Sequence, residues 1–454
     1  MTKLYRARWV LPVSSDPITD GAIVVADTRI TAVGEFQPLA SKYPDSIVED
    51  VGEAAILPGF VNAHTHLELT AMRGFLEGEE KDFFAWLRKL TIARLERMTA
   101  DDLYVSVMWG ACEAIRAGVT SVGDASDSAV ASMNALREAG LRGIVYQESF
   151  GPDPKLVAEN FSKLKQKLAE LADRETPLVH RGVSPHAPYT VCAEQLELIS
   201  SFAVAEKLPL MMHAAESKFE EMLLKNGSGP FAEGYAKRGI AWPTPGMSTV
   251  KYLELHGVLE AKPLLTHCIT VDAEDIEVIR MSGACIAHCP KSNAKLGHGR
   301  APFQAFLDAG IPTGLGSDSV ASNNLCDLLE EARFAVLSAR AALAGVPSIP
   351  SAKDALFAST GGGAKALGVS DHIGVLEAGK QADFTVIGLQ GVHQQPAYDP
   401  YSTLVFASSA RDVQMTVVAG KEIYRDGRLL TLDEERLAAR MNEIAKKLSQ
   451  KHRG

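Results

Sequence analysis

The chain has 454 residues, 46% of them hydrophobic and 22% charged, the composition of a globular protein. Its length leaves room for roughly three domains, or for one barrel of about 250–300 residues with an accessory part. Its formal net charge of −10, with no basic run, argues against nucleic acid and acidic membranes as partners.

In chain order, the start has neither the apolar core nor the small-residue cleavage site of a signal peptide. The first 55 residues are rich in Val, Ile and Thr, broken by Asp16-Pro17, Asp20-Gly21 and Gly34. They read as short strands, for example 22–26 and 30–33. From residue 57 the pattern changes to apolar runs separated by amphipathic stretches. The runs are 57–62, 120–124, 143–146, 178–184, 209–213, 264–267, 284–288 and 313–318. Helices are expected over 102–117, started by Thr99 and Asp102 and stopped by Gly118, and over 194–206 and 301–309. Eight strand–helix repeats indicate a (β/α)₈ barrel.

Beyond it, 374–376, 382–387, 413–418 and 422–425 read as strands again, and 432–451 as a charged surface helix. Neither β region could bury a core alone, so the two ends are expected to form one sandwich. The expected division is 1–56 and 369–430 for the sandwich, 57–368 for the barrel and 431–454 for the terminal helix. No run of 18 apolar residues is present, and six scattered cysteines contain no C-x-x-C. A reducing, cytoplasmic setting is therefore expected, without a membrane span or a disulfide framework.

His64 and His66 follow the apolar run 56–61 where polarity rises at Asn62. Residues i and i+2 of a strand share a face, so this spacing aims two imidazoles at one point, as a divalent metal requires. His213 ends LPLMMH, His267 ends PLLTH and Asp318 ends IPTGLGSD. All five lie at the C-terminal ends of barrel strands, where such enzymes place their chemistry. Glu216 follows His213 by three residues. It faces the same side only if the chain curls back after the strand; otherwise it is a solvated loop carboxylate. The run Gly361-Gly362-Gly363 lacks the Lys-Ser/Thr and the preceding strand of a phosphate loop, and reads as a helix break or tight packing.

These residues belong to an ordered series: LPGFVNAHTH, SPHAPYTV (184–191), HAAES (213–217), AHCPKSNAKLGHGRAPF (287–303), GSDSVASNN (316–324) and GVLEAGKQADFTVI. In that series the chain resembles the amidohydrolase superfamily, in its mononuclear deaminase branch, over almost its whole length. The resemblance implies an α/β fold, a distorted (β/α)₈ TIM barrel with a small β-sandwich built from both chain ends. It implies a hydrolase that removes the exocyclic amine of an adenine-type nucleoside as ammonia. The chain looks most like S-adenosylhomocysteine or methylthioadenosine deaminases and the aminodeoxyfutalosine deaminases of menaquinone biosynthesis. Glu68, in HTHLEL, leans toward the last.

By the same resemblance His64, His66, His213 and Asp318 bind one divalent ion, Zn²⁺ or Fe²⁺, with Zn²⁺ preferred. The fourth strand carries no Lys of the kind that dinuclear members carboxylate, so one metal is expected. Glu216 would carry protons, with Asp318 as a second carrier, and His267 would orient the attacking hydroxide. His186, Trp86, Glu68, Ser292 and Asn293 are the candidate substrate contacts. For His186 the alternative is a loop cap, for Trp86 a core position, and for Ser292 and Asn293 a cap on the next helix. The family's ribose-binding Glu, nine residues after the tryptophan, is here Leu95, with Glu96 adjacent. His180, His256, His372, His393 and His452 read as structural or solvated; His288 and His298 stay open. A homo-oligomer is implied. The competing readings are a triazine-type chlorohydrolase or aminohydrolase, a guanine or cytosine deaminase, and an inactive barrel that binds a ligand. Glu216, as a proton shuttle, favours deamination.

Overall fold

A computed structural model describes residues 2–79, 82–342, 345 and 348–450, so His452 lies outside the described residues. Five strands open the chain: β1 (Thr2–Val10), β2 (Ile18–Ala26), β3 (Arg29–Glu35), β4 (Ile47–Asp50) and β5 (Ala54–Pro58). Eight follow: β6 (Phe60–Thr65), β7 (Val119–Ser126), β8 (Arg142–Ser149), β9 (Val179–Pro185), β10 (Met211–Ala214), β11 (Leu264–His267), β12 (Cys285–His288) and β13 (Thr313–Leu315). Four close it: β14 (Phe384–Gly388), β15 (Val413–Val418), β16 (Lys421–Arg425) and β17 (Arg428–Leu429).

Strands from both ends share a single nine-stranded sheet, ordered β17-β16-β15-β14-β5-β1-β2-β3 with β4 on β1. The sheet wraps on itself. Ile30 on β3 donates to the Lys380 carbonyl (2.9 Å) and accepts from the Gly379 amide (2.8 Å), just before β14 begins. Inside the wrap Tyr5, Ile23, Ile56, Phe384 and Val386 form one buried cluster. Residues 374–376 are not the expected strand. They belong to the loop that precedes β14, and the Leu376 amide donates to the Pro12 carbonyl while its side chain fills the same cluster.

The expected strand at 57–62 is two strands, divided at Gly59. β5 stays in the nine-stranded sheet, and β6 starts the barrel. A Cβ at Gly59 would lie 2.1 Å from the Thr120 side chain, so only glycine lets the chain pass between the two sheets here. The barrel itself consists of two four-stranded parallel sheets, β6-β7-β8-β9 and β10-β11-β12-β13. Single bridges join them at both seams, Val183 to Leu210 and Thr65 to Asp318. The ring is thus closed but distorted. Helices run between the strands. Ala100–Arg116 is entered through a reciprocal Thr99–Asp102 capping box, and Phe303–Asp308 is shorter than expected. The glycine run is tight packing: Cβ atoms at Gly362 and Gly363 would meet the Thr313 carbonyl at 2.5 Å and Val61 at 2.9 Å. Among the described residues no helix is long and apolar enough to cross a membrane.

Candidate metal and catalytic centre

The C-terminal ends of β6, β10, β11 and β13 converge on one point. The ligand atoms of His64, His66 and Asp318 lie within 4.8 Å of one another, as do those of His64, His213 and His267. His66 Nε2 and His213 Nε2 are 3.2 Å apart, and Asp318 Oδ1 lies 3.5 Å from His64 Nε2 and 3.7 Å from His66 Nε2. All five side chains are buried. Burial lowers the pKa values of His64, His66 and His213: His64 falls well below its usual range, and His213 falls to about 4, helped by its neighbour His66. Burial opposes ionisation of Asp318, but the His64 contact outweighs it and holds the carboxyl well below its usual range. His64, His66, His213 and Asp318 are therefore three neutral imidazoles and one carboxylate, a donor set suited to Zn²⁺ or Fe²⁺. His64 Nε2 is fully buried with no hydrogen-bond partner, as a ligand nitrogen awaiting an ion would be.

The rings are aimed by what holds their other nitrogens. His213 Nδ1 donates to the His186 carbonyl at 3.0 Å, which leaves Nε2 facing the site. His267 Nδ1 donates to Asn293 Oδ1 at 2.8 Å, which turns Nε2 toward Glu216 Oε1 at 3.7 Å. Asp318 accepts from Ser292 (2.5 Å), Ser322 (3.0 Å) and the Ser319 amide (2.7 Å).

Glu216 reaches the centre because the chain turns sharply after β10. Ala215 sits at φ +51°, a left-handed conformation that costs a non-glycine residue energy. Glu220 stabilises the turn by accepting from the Ala215 amide (2.8 Å), the Glu216 amide (3.0 Å) and Thr249 Oγ1 (2.7 Å). Burial raises Glu220 to about 7. Tyr189 donates to Glu216 Oε2 at 2.6 Å, and His298 Nε2 lies 3.9 Å from Oε1. Burial opposes ionisation of Glu216, yet the facing imidazoles of His267, His298 and His213 and the Tyr189 hydrogen bond keep its pKa below normal.

A cavity of about 540 Å³ opens over these groups, within the size range of small-molecule sites. His186, Trp86 and Glu68 line it. Trp86 stacks on Phe83 (6.1 Å, 11°) in the helix Phe83–Ile92, and both rings face the cavity. The expected contacts at Ser292, Asn293 and Glu68 need correction, and the structure places His288, whose role the sequence leaves open. Ser292 and Asn293 do not line the cavity; they stand behind it and fix Asp318 and His267. Glu68 lines the wall, but its oxygens are held by Arg94 (2.9 Å), Ser126 (2.7 Å) and the Ser128 amide (3.0 Å). It is an anchor for Arg94 rather than a free contact. His288 stacks on Phe303 away from the cavity (5.2 Å, 21°).

Sequence reasoning did not single out Tyr189, Glu220 or Glu148. Tyr189 sits inside the quoted SPHAPYTV motif. Ser217-x-x-Glu220 has the capping-box spacing. Glu148 ends a barrel strand, the same position that picked out the histidines.

The sequence model of the amidohydrolase family matches residues 55–423. The 5-methylthioadenosine/S-adenosylhomocysteine deaminase of Syntrophobacter fumaroxidans is 32% identical over 429 residues, covering 94% of this chain and 93% of its own. That of Pelotomaculum thermopropionicum is 32% identical over 433 residues, covering 94% of each. Among solved structures, an adenosine deaminase from Xanthomonas campestris with bound zinc superimposes with a TM-score of 0.85 at 25% identity over 98% of both chains. An aminofutalosine deaminase from Helicobacter pylori, in complex with methylthio-coformycin, shares the fold with a TM-score of 0.79 at 24% identity over 93% of this chain and 100% of its own.

Proposed function

The chain belongs to the amidohydrolase family, and from that premise we propose that it is a metal-dependent deaminase of adenine-type nucleosides that releases ammonia. The observation that carries this reading is the placement of Glu216. An ionised carboxylate, turned into the cavity between Tyr189 and His267, stands beside a candidate metal centre. The ion would be held by His64, His66, His213 and Asp318, and among the ions this donor set suits, Zn²⁺ is the choice that the zinc-bound relative supports. When bound, such an ion lowers the pKa of a coordinated water from 15.7 to ~7.

The chain's own residues do the rest. Glu216 takes the proton of the attacking water and delivers it to the ring nitrogen beside the amine-bearing carbon, which makes that carbon electrophilic. His267, with Nδ1 fixed by Asn293, presents Nε2 to orient the attacking oxygen. Asp318 or Glu216 then takes the remaining proton of the added oxygen and passes it to the amine, so that the carbon–nitrogen bond breaks, ammonia leaves and the oxygen becomes the carbonyl. Phe83 and Trp86 cover the base and exclude bulk water.

Methylthioadenosine and S-adenosylhomocysteine stand first among candidate substrates, because the relatives so named align along nearly the whole chain. Aminodeoxyfutalosine stands second, since the Glu68 carboxylate that favoured it is engaged by Arg94. Ammonia release from metal-loaded protein, over these nucleosides plus adenosine and guanine, tests the reading. At least one adenine nucleoside should be turned over. Glu216→Gln should lose about 10²–10⁴-fold in kcat with metal content unchanged by elemental analysis. No turnover with any aminopurine would overturn the proposal.

A further inference from the structure

One carboxylate in the cavity wall has no role in the chemistry above. Glu148, at the end of β8, is 5% exposed, lines the cavity, and has an oxygen, Oε1, that is fully buried without a hydrogen bond. The other lining carboxylates are engaged: Glu68 and Asp127 by Arg94, Glu216 by Tyr189, Asp318 by Ser292. Burying an unpaired carboxyl oxygen is costly, so such an atom in a binding cavity calls for a hydrogen-bond partner brought in from outside.

Two neighbours approach Glu148 Oε1 without satisfying it. His66 Nδ1 is 3.9 Å away, and that ring is already held by the Ala125 backbone. His186 Nε2 is 4.0 Å away. His186 Nδ1 is hydrogen-bonded to Thr190 Oγ1 (2.9 Å), which also lies 3.1 Å from the Ala187 carbonyl, and the opposite ring nitrogen, Nε2, faces Glu148. Glu148 Oε1 and His186 Nε2 thus stand 4.0 Å apart on the cavity wall. A single hydroxyl can pair with only one of them at full strength. A vicinal diol has two adjacent hydroxyls, each able to donate or accept, and serves both.

We propose that Glu148 and His186 together bind the 2′,3′-diol of the substrate ribose, and that Glu148 is the residue that selects ribonucleosides. This deepens the deaminase reading and rests on it for the identity of the sugar. Leu95 and Glu96 do not compete for the diol. Leu95 offers only an apolar side chain to the wall, and Glu96 is exposed and does not line the cavity.

The test compares wild type, Glu148→Gln and Glu148→Ala, each metal-loaded, on the nucleoside that wild type turns over best and on its 2′-deoxy and 3′-deoxy forms. Removing this partner and leaving a buried hydroxyl unsatisfied should lower kcat/KM on the ribonucleoside about 10–100-fold, mainly through KM. On at least one deoxy form the loss should be under about threefold, because the missing hydroxyl has already removed the contact. Binding of adenosine and 2′-deoxyadenosine to Glu216→Gln protein, with and without Glu148→Ala, gives the same comparison without turnover. Equal losses on all three sugars, or loss of the metal in both Glu148 variants, would overturn the proposal. Absence of turnover in wild type with diol-dependent binding intact would overturn the deaminase reading alone.

Discussion

Glu216 acts as a base only while ionised, and its immediate partners decide that. The Tyr189 hydroxyl donates to it, and that bond favours the charged form. Tyr189→Phe removes that donor, so the Glu216 pKa should rise. Activity requires the carboxylate, hence the acid limb of the kcat/KM–pH profile should move to higher pH. The loss should be greatest on the acid side and smallest above neutrality. An unmoved limb would show that another group sets it. Much of this level was legible in the sequence. His64, His66, His213, His267 and Asp318 could be found because each ends a strand, and strands reveal themselves by period. Applied to QES at the end of β8, the same rule would have found Glu148. What the sequence could not give was direction: Glu216 faces inward because of one backbone angle at Ala215, and Ser292 and Asn293 point behind the cavity rather than into it.

At the scale of elements, the curled sheet and the barrel share a buried apolar cluster, with Leu57 and Val418 beside Val119 and Leu136, and one buried ion pair lies at the same junction. Arg142, at the start of β8, donates Nε and a second guanidinium nitrogen to Asp383 at 2.7 and 3.1 Å, and Asp383 also accepts from the Ala419 amide (2.7 Å). This pair is buried, with Asp383 at 3% exposure. Truncating one member strands the other charge, typically a cost of about 3–5 kcal/mol. Arg142→Met should therefore lower the denaturation midpoint markedly, and adding Asp383→Asn should recover part of the loss. Full stability in the single variant would show the junction to be held elsewhere. Neither residue announces this pairing in the sequence, since 241 positions separate them. The strands around them were readable because alternation and turn residues are local. The division at Gly59 was hidden, because two consecutive apolar strands look like one.

For the whole molecule, the two halves of the barrel meet at seams of one bridge each, at Val183–Leu210 and Thr65–Asp318. The candidate ligands are shared between those halves: His64 and His66 on β6 belong to one, His213 on β10 and Asp318 beyond β13 to the other. An ion bound to all four acts as a clasp across both joints. Ligand linkage gives such a clasp about 2.7 kcal/mol at a hundredfold excess over Kd. Chelation should lower the melting temperature by several degrees, and Zn²⁺ should restore it. Hydrogen exchange should then quicken at the seams before it quickens within either four-stranded sheet. At the second seam the Asp318 amide donates to the His64 carbonyl, joining two ligands through their own backbone. The reaction centre would thus double as the lock of the ring, and a cell short of metal would hold a protein that is loosened as well as idle.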